Sequence, residues 1–267
     1  MSKTILITGS TDGIGLESAK RLLSLGHRVL LHGRNPEKLD TVVRSLSNEF
    51  GTAKLESYVA DLSDMSAVTK LAKSIVANHQ MLDVLINNAG VFMVPNPVTS
   101  SGLDLRFVVN TLAPWLLTRQ LLPIMDRDGR VINLSSAAQS RVDLDALKGK
   151  RKLVDGEAYA QSKLAITMWS RFLADKLGSE GPAIIAVNPG SFLGSKMVKE
   201  AYGQAGKDLG IGANILAQAA ISEEFASASG QYFDNDRGSF AAQHPDVLDQ
   251  EQNNRLVSVL DSLLNST

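Results

Sequence analysis

The stretch GEAYAQSKLAI, residues 156–166, sets Tyr159 and Lys163 four positions apart in a segment with helical patterning. Residues four apart on a helix share a face, so phenol and ammonium point the same way. Any amphipathic helix can contain such a pair, so it carries meaning only with its surroundings. An unperturbed phenol, with a pKa near 10, is too weak an acid to move protons at pH 7. An ammonium about 5 Å away, at an effective dielectric near 20, stabilises phenolate by roughly 3 kcal/mol. The phenol becomes about a hundredfold more acidic and enters the range of general acid–base work, worth ~10² to 10⁴ in rate.

The elements that must position the pair follow from apolar patterning. Runs rich in Val, Ile and Leu occur at 4–8, 28–32, 55–59, 83–87, 130–134 and 183–187, with a late one at 230–233. Several lack alternation, as strands buried on both faces of a parallel sheet do. Helical patterns fill 13–25, 36–50, 64–79, 103–122, 157–178 and 246–264. This repetition predicts one α/β domain over residues 1–267, a doubly wound, mostly parallel Rossmann sheet of about seven strands with helices on both faces. Ligands of such sheets bind beyond the carboxyl ends of the strands.

The residues after each strand are therefore the candidates. Strand one leads into TGSTDGIG, residues 8–15, whose G-x-x-x-G-x-G spacing opens a helix. Glycines there let the backbone turn tightly beside a pyrophosphate that faces the helix N-terminus. Gly9, Thr11, Asp12, Gly13, Ile14 and Gly15 form the candidate set, and no Gly-Lys-Ser/Thr of a P-loop follows. Strand two ends in His32-Gly33-Arg34, with an arginine where an acid would bind the ribose hydroxyls of NAD. Arginine favours the 2′-phosphate, so NADP(H) is preferred, with NAD(H) as the other cofactor weighed. His32 reads as a strand-end residue. Asp61-Leu62 follows strand three, and Asn88-Ala89-Gly90, small enough for close backbone approach, follows strand four. Strand five delivers Ser135-Ser136, where serine is equally at home in a turn.

In this order, TGSTDGIG, Asp61-Leu62, NNAG, Asn110, LSSAA, YAQSK and NPG (188–190) resemble the short-chain dehydrogenase/reductase family. The resemblance runs through most of the chain. It implies that Tyr159 is the acid/base, that Lys163 lowers its pKa and holds the nicotinamide ribose, and that Ser136 donates to the substrate oxygen. By the same resemblance Asn110 holds a water that links Lys163 to solvent. Asp61 and Leu62 meet the adenine, Asn88, Ala89 and Gly90 line the adenosine side, and Pro189 and Gly190 meet the nicotinamide.

Two departures matter. Ser136 and Tyr159 lie 23 positions apart, about ten more than in many members, and this lengthening with the AYxxSKLA pattern looks like the retinol-dehydrogenase-like branch. That branch implies lipophilic carbonyls and alcohols as substrates. Secondly, the segment after Gly190 reads SFLGS, with Ser195 where many members place a threonine one position earlier. The expected pocket is formed by 91–97, 137–157 and 191–207, with Phe92, Phe192, Met197 and Tyr202 among its apolar residues.

Composition sets bounds on other functions. A net charge of −1 and a pI of about 6.4 favour neither nucleic acid nor an anionic membrane. The basic run Lys148–Lys152 reads as a solvated loop. There is no cysteine, no run of the ~20 apolar residues a membrane helix needs, and no metal site is expected. MSKTILITG enters a strand at once without an apolar leader, so the expected location is cytoplasmic. The expected partner is a small carbonyl or alcohol, and many relatives pair as homodimers through the helices of the second half. The alternative is an NADP(H)-sensing protein that kept the fold without turnover. It would need the glycine turn but not the set Asn110, Ser136, Tyr159 and Lys163. A methyltransferase on a related sheet would leave the Tyr/Lys pair without a task.

Overall fold

The structure, a computed structural model, describes residues 2–203 and 205–265, apart from the side chains of residues 201 and 202. Its elements alternate in the expected order. They run β1 (Thr4–Ile7), α1 (Gly13–Ser24), β2 (Arg28–Gly33), α2 (Pro36–Phe50), β3 (Leu55–Val59), α3 (Met65–Asn78) and β4 (Val84–Asn87). Then follow α4 (Leu105–Phe107), a π turn (Val108–Leu112), α5 (Ala113–Leu121) and β5 (Arg130–Leu134). After these come α6 (Leu144–Leu147), α7 (Asp155–Leu177), β6 (Ala183–Asn188), α8 (Lys196–Tyr202) and α9 (Leu209–Ile221). The chain closes with β7 (Tyr232–Asp234), β8 (Ser239–Phe240), α10 (Pro245–Leu248) and α11 (Gln250–Asn265).

The strands form one sheet in the order β3-β2-β1-β4-β5-β6-β7-β8, parallel except for the β7–β8 pair. Strand side chains alternate between faces, and the register turns this into two cores. Leu6, Leu30, Leu85, Val131 and Ile184 are aligned across neighbouring strands and face α3, α5 and α7. Their neighbours Ile5, Ile7, Val29, Leu31, Ile86, Ile132 and Ile185 face α1, α2 and α9. Each fully buried aliphatic of this kind stabilises the fold by ~1.5–3 kcal/mol.

Helix starts are set by side-chain caps. Asp12, Asn35 and Asp64 each accept a first-turn amide of α1, α2 and α3, and Pro36 begins α2 with its φ already helical. The sheet order reverses between β1 and β4, and the crevice beyond their carboxyl ends is where a doubly wound sheet binds ligands.

Three differences from the sequence reading have physical causes. An eighth strand, Ser239–Phe240, adds an antiparallel edge after a turn at 235–238, too short to show a pattern. The single helix expected at 103–122 starts at Leu105 and contains the π turn, which a 3.6-residue period does not reveal. Helix α9 escaped notice because Gly210 and Gly212 lower its helical propensity. A Cβ on Gly212 would lie 2.7 Å from Leu193 Cδ1 and 3.2 Å from Ile14 Cγ2, so the glycine lets α9 approach both.

Candidate active site

The glycine turn is shaped by contacts that tolerate no larger side chain. Gly9 has φ +65°, and a Cβ there would meet the Ala89 backbone at 2.9 Å. A Cβ on Gly15 would fall 2.4 Å from both Asn88 Nδ2 and the Gly9 carbonyl oxygen. Gly33 is pressed by Thr11, whose Cγ2 would be 2.5 Å from a Cβ. Gly13, at φ +54°, differs: its Cβ would find only the Ser195 Cβ at 3.8 Å. The N-terminus of α1 is thus not crowded: a Cβ on Gly13 would make only an ordinary contact, with Ser195. There the Ile14 and Gly15 amides have no acceptor among the described residues, as the first turn of a helix leaves them. Uncrowded backbone with aimed donors at a helix N-terminus suits an anion such as a pyrophosphate.

The turn is stitched to the loop after β4. Asn88 Nδ2 donates to the Thr8 and Gly9 carbonyls at 2.8 and 3.1 Å, and Thr8 Oγ1 accepts from the Asn88 and Ala89 amides. His32 holds the same turn from the other side. Its Nδ1 accepts the Gly9 amide at 3.1 Å, which leaves the proton on Nε2 to reach the Ala60 carbonyl at 3.1 Å. Burial lowers its pKa to about 4.

Just beyond β2, Arg34 is exposed and makes no hydrogen bond or ion pair among the described residues. Asp12 caps α1 through the Gly13 amide and pairs with Lys38 at 2.5 Å. Lys38 and the Gly13 amide hold the Asp12 carboxyl below its usual range against partial burial. Asp61 is exposed and accepts from the Ser63 amide and hydroxyl, whereas the Leu62 side chain is buried in the core and only its backbone can serve a ligand.

The candidate catalytic residues come together where β5 meets α7. Lys163 is buried, donates from Nζ to the Leu134 carbonyl at 2.7 Å, and stands 5.7 Å from the centroid of the Tyr159 ring. Burial lowers its pKa to about 8, which leaves the ammonium mostly protonated at pH 7. The Phe92 ring lies against Tyr159 with centroids 4.7 Å apart. Ser136 Oγ accepts the Ala138 amide at 3.1 Å, so its own proton is left to donate. The Ser136 carbonyl accepts from Gln139 Nε2 and from the Tyr232 hydroxyl, at 2.9 and 3.1 Å.

Asn110 lies in the π turn. Its side chain accepts the Val91 amide and donates to the Val91 carbonyl and to Ser162 Oγ, which in turn donates to the Tyr159 carbonyl. Gly90 borders both groups: a Cβ there would come 3.3 Å from Asn110 Oδ1 and 3.6 Å from Lys163 Nζ. Pro189 and Gly190 follow β6. The Pro189 carbonyl accepts from Asn235, and Asp236 accepts the Ser191 amide and hydroxyl. Phe192, the one non-glycine residue with positive φ among the described residues, follows this anchored stretch at φ +57°.

Residues 3–206 match the family described as short chain dehydrogenase. The chain belongs to that family. It is 31% identical to human retinol dehydrogenase 13 over 95% of this chain and 82% of the relative, and 32% identical to human polyprenol dehydrogenase over 88% and 77%. Among solved structures it is similar to an uncharacterised protein from Mycobacterium paratuberculosis, with a TM-score of 0.81, 26% identity and coverage of 98% and 93%. It is also similar to an NADP complex of RhlG from Pseudomonas aeruginosa, with a TM-score of 0.69, 25% identity and coverage of 87% and 94%. The retinol-dehydrogenase-like branch suggested by the lengthened Ser136-to-Tyr159 segment agrees with these relatives.

In this short-chain dehydrogenase the lengthened segment is folded rather than loose. Asp143 caps α6, and Ala146 and Leu147 of that turn are buried in the core. A Cβ on Gly149 would meet the Gly102 carbonyl oxygen at 2.4 Å, so the segment rests on the loop before α4. Of the pocket residues expected from sequence, the Tyr202 side chain lies outside the described residues. Sequence reasoning missed Thr8, Lys38, Ser162 and Tyr232, whose roles depend on contacts with residues far apart in the chain. It also read His32 as a strand end when the ring fastens the glycine turn.

That role of His32 has a pH signature. The folded chain holds the imidazole neutral down to about pH 4, whereas an unfolded histidine takes up a proton below about pH 6.5. The unfolded state then binds more protons, so stability falls as pH drops from about 6.5 towards 4. Urea unfolding at pH 7 and 4.5 should show wild type losing roughly 2 to 3 kcal/mol more than His32→Asn. Parallel losses in the two proteins would contradict the assignment.

Proposed function

We propose that the protein is an NADP(H)-preferring oxidoreductase that interconverts a carbonyl and an alcohol, with Tyr159 as the acid/base. The observation that carries this reading is the buried Lys163 ammonium 5.7 Å from the Tyr159 ring, at the end of the strand that also bears Ser136. A nicotinamide cofactor supplies or accepts the hydride when bound. The chain's own residues hold it, orient the substrate oxygen and manage the proton.

In reduction, the Tyr159 hydroxyl gives its proton to the carbonyl oxygen as negative charge develops there, and in oxidation the phenolate takes one from the alcohol. Lys163 stabilises the phenolate across a region of low dielectric, where the attraction is stronger than in water. Ser136 donates its free O–H to the same substrate oxygen, a preorganised donor of the kind that stabilises developing oxyanions. Asn110 fastens the helix of Tyr159 to the loop after β4 through Ser162 and Val91. Phe92 covers one side of the phenol.

The cofactor preference rests on Arg34, exposed beside the glycine turn, with Lys38 as a second cation four residues on. NADP in complexes of similar structures supports the same preference. The substrate is taken to be lipophilic, in line with the retinol and polyprenol named for the relatives and with the Phe92 ring beside Tyr159. Ala146 and Leu147 are buried in the core, so the ends of the 137–157 segment, rather than its middle, are taken to meet substrate.

Two measurements test this reading. Tyr159→Phe should lower kcat for any accepted carbonyl by ~10² or more while NADPH binding, followed by nicotinamide fluorescence, stays within about twofold; unchanged turnover would sink the mechanism. Arg34→Ala should weaken NADPH binding about tenfold, the loss of one charge-assisted phosphate contact, and leave NADH binding unchanged. Equal effects on both cofactors would overturn the assignment of Arg34.

A further inference from the structure

Outside the reaction centre, the most heavily committed buried charge is Arg106. Its side chain is 1% exposed, yet it carries a full positive charge at the start of α4. Asp104 grips it as a fork, accepting from Nε at 2.8 Å and from Nη2 at 2.6 Å, and also caps α4 through the Arg106 amide. The remaining arm, Nη1, donates to Asp155. Burial works against the charge, and the two carboxylates more than reverse this, so the guanidinium pKa is raised.

The placement of the partners gives the interaction a direction. Asp155 is the first residue of α7, and α7 has no side-chain cap, because Val154 occupies the capping position. Tyr159 lies four residues on from Asp155. Three residues further, Ser162 accepts from Asn110 Nδ2 at 3.0 Å, and its carbonyl accepts Thr111 Oγ1 at 2.9 Å. The π-turned helix is thus joined to α7 by two rungs, Arg106 to Asp155 and Asn110/Thr111 to Ser162, and Tyr159 falls between them.

We propose that Arg106 is a positioning residue that pins the uncapped start of α7 through Asp155 and so fixes Tyr159 relative to the Asn110 turn. A buried ion pair is a poor source of net stability, since apolar groups of similar shape often do as well. It is a good source of register, because the planar guanidinium binds two carboxylates at once in a fixed geometry that an ammonium cannot copy. The pin also closes the lengthened segment: the chain leaves Ser136, buries Leu147 in the core, and is clamped at Asp155 as it enters the Tyr159 helix. The inference rests on the proposed role of Tyr159, but the pin itself can be observed without turnover.

Asp155→Ala and Arg106→Lys test it together. The first removes a carboxylate from a half-exposed helix start and leaves Arg106 paired with Asp104, and the second keeps the charge but loses the fork. Both should lower kcat about tenfold, the scale expected of a small misplacement, and lower the melting temperature, since each disrupts a buried ion pair, while NADPH affinity measured well below that temperature stays within twofold. Asp155→Asn, which keeps an acceptor, should recover part of the loss. In the cofactor-free protein, hydrogen exchange at the amides of 158–160 should accelerate about tenfold in both main variants. Unchanged exchange and kcat would overturn the proposal, and so would an effect of Asp155→Ala that Arg106→Lys does not reproduce. If wild type binds NADPH but reduces no carbonyl, the functional reading fails and the exchange result alone decides the pin.

Discussion

The arrangement depends on keeping one ammonium out of water. Lys163 is buried, its Nζ is held by the Leu134 carbonyl, and burial lowers its pKa to about 8. An isolated buried charge is costly, and a lysine free to turn outward would escape to solvent. It stays because α7 lies tightly along β5. Ser135 Oγ donates to the Lys163 carbonyl and meets Thr167 Oγ1, and Ser170 Oγ accepts from Asn133 across the same seam. The same low dielectric that penalises the charge strengthens its hold on a neighbouring phenolate. Stability given up at Lys163 thus reappears, in the proposed mechanism, as acidity at Tyr159.

The glycine turn, the proposed cofactor end, is shaped by exclusion of side chains. Gly9, Gly15 and Gly33 sit where a Cβ would strike Ala89, Asn88 or Thr11, so the turn, the loop after β4 and the end of β2 close into one unit. His32 and Asn88 fasten it from opposite sides, using neutral hydrogen bonds that compete with no ligand charge. Both ends of the cleft are therefore preorganised by the sheet. The register that separates the two cores also aligns the strand ends from which Gly9, Ala89 and Ser136 extend.

Much of this was legible in the sequence because its signals are local. Continuous apolar runs marked β1, β4, β5 and β6, the glycine spacing marked the turn, and the four-residue step from Tyr159 to Lys163 marked a shared helix face. What escaped notice depends on pairs far apart in the chain. Tyr232 reaches Ser136 from a strand 96 positions later, and Arg106 reaches Asp155 across 49. No periodicity encodes such contacts. The π turn at Asn110 was hidden because one extra residue in a helical turn leaves the apolar pattern nearly intact. The extra residues between Ser136 and Tyr159 were visible as a length, but only the fold shows that Leu147 takes them into the core.

The coupling between Lys163 and Tyr159 is open to direct observation by alkaline titration of phenolate absorbance. The chain has four tyrosines. One of them should ionise well before the rest, and this early step should vanish both in Tyr159→Phe and in Lys163→Met. Superimposable titrations of wild type and Lys163→Met would contradict the claim that the buried ammonium sets the acidity of Tyr159.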